Sequence, residues 1–208
     1  TKKQLRKRQK NNMIGIDKET DSICILLNFH QSYARDTISR GKGSESMSRR
    51  DKLNYYLDIA EAVIDRGTCI RRNFGAIIVK NDQIISTGYV GAPRGRKNCC
   101  DLGYCTREQL NIPRGERYEL CRSVHAEQNA IIAASRSDMI GSTLFLVGRD
   151  YKTKELVKGA NPCALCKRMI INAGIAQVVV RDTHDEYRMI DVQSWVEHDD
   201  SLTGERGY

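Results

Sequence analysis

Residues 121–130 read CRSVHAEQNA and place a cysteine, a histidine and a glutamate within seven positions. Residues 160–166, ANPCALC, add two cysteines three positions apart behind a proline. Zinc takes nitrogen and sulfur ligands in a tetrahedron, and a catalytic ion keeps one of its four positions for water. His125, Cys163 and Cys166 supply three ligands. Cys163 and Cys166 fall in the first turn of a predicted helix, which puts both sulfurs on one face and favours their thiolates. Glu127 stands two residues beyond His125, where it can face the open position without binding the ion. A structural ion would normally find its own fourth ligand, so this set reads as catalytic. Water at such an ion can have its pKa lowered toward about 7.

Working outward, HAEQNAIIAASR and CALCKRMIINAG have helical periodicity, and Gly174 stops the second. DKLNYYLDIAEAVIDRG predicts an earlier helix, from Leu53 to Ile64 on one apolar face, with Gly67 as its stop. FGAIIVK and QIISTGYV are β-rich runs joined by Asn81-Asp82, a hairpin signal. STLFLVG and IAQVVVRD predict two more strands, and EYRMIDVQSWVEH a final helix. Residues 91–122 read as a loop. A hairpin followed by helix–strand–helix–strand argues for an α/β sandwich with a mixed sheet. No internal repeat is visible.

A chain of 208 residues is long enough for one substantial domain. Its net charge of +8 is uneven: residues 1–50 hold 12 Lys/Arg against 5 Asp/Glu, and the remainder 22 against 21. The basic character belongs to a leader, 1–46, which reads as flexible or as an artificial extension. Its SICILLNF stretch could form one strand. The domain proper runs from 47 to 208. That nearly neutral body lacks the cationic track that nucleic acid needs. No apolar run suits a membrane span or secretion signal, so a cytoplasmic location is expected, where a CxxC near a histidine favours metal over disulfides.

His125-Ala126-Glu127, Pro162-Cys163-Ala164-Leu165-Cys166 and Ala173-Gly174-Ile175 resemble the cytidine deaminase-like superfamily. FGAIIVKNDQIISTGYVGAPRG and NCCD narrow this to the deoxycytidylate deaminases, including the competence-operon type. The resemblance covers about Asp51 to Asp182. It implies a three-layer α/β/α sandwich on a mixed five-stranded sheet, and a homo-oligomer. The implied activity is zinc-dependent hydrolysis of a cytosine nucleotide, dCMP to dUMP, with Glu127 as proton shuttle. The chain departs at Val90, where family members usually carry an Asn associated with nucleotide binding. It also inserts YKTKELVKGAN before Pro162. The exact nucleotide is therefore left open.

Some relatives carry a second zinc near the long loop. Motif matching aligns Cys69 and Cys99 with its ligands, and Cys105 and Cys121 would complete a four-cysteine structural site, with Cys100 spare; free thiols are the alternative. The resemblance puts the nucleotide near Ala126 and the arginines of RGTCIRRNFG and GAPRGRK, namely Arg71, Arg72 and Arg94. These cations would bind a phosphate or offset four thiolates. Two rival readings remain, a nucleic-acid base-editing deaminase and a zinc-stabilised module without catalysis.

Overall fold

Asp51 opens the first helix by accepting the backbone N–H of Asn54 at 3.0 Å. In the computed structural model, which describes residues 49–113 and 115–198, that helix is α1, Lys52–Ile64. The leader and its expected strand lie outside the described residues. Strands β1 (Arg72–Lys80) and β2 (Gln83–Tyr89) form an antiparallel hairpin closed by Asn81 and Asp82. Both turn residues take positive φ, 50° and 63°, as a twisted two-residue hairpin requires. Two one-turn helices follow, α2 (Cys99–Leu102) and α3 (Thr106–Gln109), then a 3₁₀ turn at Tyr118–Leu120. The predicted loop thus contains local structure, too short to show periodicity.

The second half runs α4 (Ala126–Ile132), α5 (Arg136–Met139), β3 (Thr143–Asp150), α6 (Ala164–Ala173), β4 (Gln177–Arg181), β5 (Tyr187–Asp191) and α7 (Gln193–Glu197). The sheet order is β2-β1-β3-β4-β5; only β3 and β4 run parallel. Alternation along the strands sorts the core into two layers. Ile77, Val79, Phe145, Val147 and Val179 meet Tyr56, Leu57, Ala60 and Ile64 of α1. Ala76, Ile78, Leu144, Leu146, Val178 and Val180 face Ala126 and Ala130 of α4 and Ile170 and Ala173 of α6. This is the expected three-layer α/β/α sandwich on a mixed five-stranded sheet.

One expected element is corrected. Only Gln193–Glu197 of the predicted last helix is helical, because Tyr187–Asp191 pairs antiparallel with β4 as the edge strand. Its half-exposed side chains fit either period, and the pairing that decides is not local. Among the described residues no helix is long and apolar enough to cross a membrane.

Candidate active site

Glycine lets α4 approach the sheet closely. A Cβ on Gly88 of β2 would lie 2.2 Å from the Ala126 carbonyl oxygen and 2.4 Å from the Ala130 nitrogen, so no side chain fits there. Gly91, just after β2, exchanges two backbone hydrogen bonds with Val124, at 3.2 and 2.8 Å. Gln128 accepts the backbone N–H of His125 at 2.9 Å. These contacts set His125 as the N-cap of α4, and Cys163 stands at the N-cap position of α6.

His125 Nδ1 stands 3.4 Å from the sulfur of Cys163 and 3.4 Å from that of Cys166. Zinc bonds of about 2.3 Å to sulfur and 2.0–2.1 Å to nitrogen would set tetrahedral S and N about 3.6 Å apart, so the donors fit the ion. Among the described residues this is the one group of three or more such ligand atoms within 4.8 Å of one another. The hydrogen bond from Cys166 holds the Cys163 thiol down to about 4, against burial and with help from His125. The same bond and burial push Cys166 up. Burial works against a charged His125, but the Cys163 bond and the Glu127 charge outweigh it and raise the imidazole.

Glu127 is 5% exposed, and its carboxyl reaches the Cys166 sulfur. Burial raises its pKa against the pull of His125. A carboxyl so placed can take and return a proton beside the triad. Tyr118 packs edge-on to His125, ring centroids 5.0 Å apart. Arg107 lies over the other ring system at 4.5 Å from the Tyr118 centroid, donating to the carbonyls of Pro113 at 2.7 Å and Glu116 at 2.5 Å.

A cavity of about 770 Å³ opens beside the triad and is lined by His125, Ala126, Glu127 and Cys163. Its wall includes Val90, whose side chain has no hydrogen-bonding group, together with Arg71 and Arg72. Arg71 pairs with Glu108 at 3.0 Å. Arg94 is exposed and does not line this cavity. Arg107, Tyr118, Lys152 and Asn161 do, though sequence reading did not assign them to the substrate. Lys152 and Asn161 lie within the YKTKELVKGAN insertion, and that unusual length was the available signal.

Cys69, Cys99, Cys105 and Cys121 line the same cavity. Burial first, and then the other three thiols, push Cys99 up, while Cys69 is raised by burial with Cys121 and Cys105 nearby. The four thus converge, although no three of their sulfurs close to within 4.8 Å. Cys100 is exposed and outside the group.

The sequence matches the family described as "Cytidine and deoxycytidylate deaminase zinc-binding region" over residues 50–182. A deoxycytidylate deaminase of Mycobacterium phage D29 is 38% identical over 138 residues, covering 64% of this chain and 96% of that protein. ComE operon protein 2 of Bacillus subtilis is 30% identical over 132 residues, covering 64% and 60%. The chain spans less than half the length of yeast proteins named deoxycytidylate deaminase. A crystal structure of dCMP deaminase from the cyanophage S-TIM5 is 28% identical, covers 62% of this chain and 81% of its own, and has a TM-score of 0.42. Because the family match takes in more than half of the sequence, the chain belongs to the cytidine and deoxycytidylate deaminases, a zinc-binding family.

Proposed function

We propose that the chain hydrolyses dCMP to dUMP with release of ammonia. The observation that carries this reading is Glu127, a buried carboxyl that adjoins His125, Cys163 and Cys166 without belonging to the triad. When bound there, zinc supplies the Lewis acidity that makes water a nucleophile toward C4 of the ring. Glu127 takes a proton from the attacking water, gives it to the adjacent ring nitrogen, and then assists departure of the amine. His125, Cys163 and Cys166 hold the ion. Ala126 and the cavity walls orient the ring, and the lining cations Arg71, Arg72 and Lys152 face the phosphate. Arg94 keeps at most a peripheral role, being exposed and outside that wall.

Ammonia release from dCMP, deoxycytidine and a short oligonucleotide tests the reading. Charge-assisted contacts are worth about 1.5–3 kcal/mol each, so dCMP should exceed deoxycytidine at least about tenfold in kcat/KM. Equal efficiencies would point to a nucleoside deaminase, and activity on the oligonucleotide alone to a nucleic-acid editor.

A second, structural zinc on Cys69, Cys99, Cys105 and Cys121 completes the proposal, supported by the convergence of these thiols at one cavity. Metal analysis should give two ions per chain; one ion with these cysteines freely alkylated would remove it. Such thiolates suit a reducing compartment, and we place the enzyme in the cytoplasm. The family resemblance supports a homo-oligomer. The catalytic domain is taken to begin at Met47, so a chain cut there should fold and keep its activity.

A further inference from the structure

One arginine fastens the end of the inserted segment. Arg188 of β5 donates through Nη1 to Asn161 Oδ1 at 2.9 Å and through Nη2 to the Ala160 carbonyl at 2.7 Å. Asp182 holds the same guanidinium, accepting from Nε at 2.5 Å and from Nη2 at 3.1 Å. Asp182 Oδ1 also accepts the backbone N–H of Gly159 at 2.9 Å. The segment thus reaches the metal-binding cysteines along a fixed path.

Arginine offers donors and no acceptor. Asn161 must therefore turn its carbonyl oxygen toward Arg188, which settles the orientation of the amide and leaves its NH₂ as a donor pair. Asn161 lies two residues from Cys163 and is the one carboxamide among the described residues that line the cavity. Val90, in the same wall, can bond nothing through its side chain.

We propose that Asn161 is a specificity-determining residue whose amide donates to a neutral oxygen on the nucleoside part of the substrate, with Arg188 as its positioning residue. The proposal rests on the nucleotide-deaminase reading above. The reacting carbon has to sit at the His125–Cys163–Cys166 triad, so a donor beside Cys163 meets the base or sugar. The phosphate carries charge and is matched by the cations of the wall.

Asn161→Asp tests this directly, because a carboxylate still accepts from Arg188 but cannot donate to the substrate. The expected result is a loss of about tenfold in kcat/KM, mainly through KM, by the same factor for dCMP and deoxycytidine. The calorimetric Kd for dUMP should weaken in parallel, with zinc content and Tm unchanged. Asn161→Ala, which adds no charge, should lose about three- to tenfold in the same pattern. Arg188→Lys should give a smaller loss of that pattern. If Asn161→Asp loses zinc or melts early, Asn161→Ala decides. Wild-type KM and dUMP affinity in that variant, or a loss confined to dCMP, would overturn the proposal. A wild-type chain that deaminates no nucleotide would remove the reaction reading alone, and dUMP binding would still decide on Asn161.

Discussion

Tyr118 meets His125 edge-on, with the two ring planes 87° apart and their centroids 5.0 Å apart. The contact fixes the plane of a metal ligand from outside the metal shell, and Arg107 backs the tyrosine in turn. Outer residues that hydrogen-bond a ligand typically cost about 10- to 100-fold in metal affinity or activity when lost, and a packing contact that holds the ring plane is expected at the low end of that range. Tyr118→Ala should therefore lower zinc affinity about tenfold, measured by competition with a chelator. Tyr118→Phe, which keeps the ring edge, should lose far less.

Gly88→Ala tests how closely α4 must sit on the sheet. The added carbon meets backbone atoms of Ala126 and Ala130, which cannot swing aside like a side chain. Overpacking of this kind costs about 1–3 kcal/mol, and Tm should fall by several degrees. His125 and Glu127 ride on the same helix, so activity should fall further than stability alone explains.

Acid should loosen the clasp on the inserted segment. Arg188 beside Asp182 holds its carboxyl below the ordinary range, against burial, so the folded pKa lies under the unfolded value of about 3.9. That stabilisation is fully present above the unfolded pKa and is lost as pH falls through the folded one. Tm should accordingly drop below about pH 4, and less steeply in Arg188→Lys. A Tm as acid-sensitive in that variant as in the wild type would remove the clasp as the cause.

The metal site was legible in the sequence because its chemistry is local. His125 and Glu127 sit two residues apart, Cys163 and Cys166 three apart, and each pair opens its own helix. The hairpin was legible for the same reason, since Asn81 and Asp82 tolerate the φ that the turn demands. The fifth strand was not, because Tyr187–Asp191 is ordered by β4, a partner outside its own segment. Cavity walls were the hardest to foresee. Arg72 opens β1 and Lys152 lies two residues past the end of β3, brought together by the register Arg72 to Asp150, a relation that no spacing records. Arg94 shows the converse, near the others in sequence yet outside the cavity.

The central claim is that Glu127 moves protons and holds no metal. Its decisive measurement is ammonia release from dCMP by Glu127→Gln, with zinc content determined on the same sample. The account predicts turnover reduced by at least about a hundredfold with zinc at His125, Cys163 and Cys166 retained. Near wild-type turnover in that variant, or loss of zinc from the triad together with activity, would contradict it.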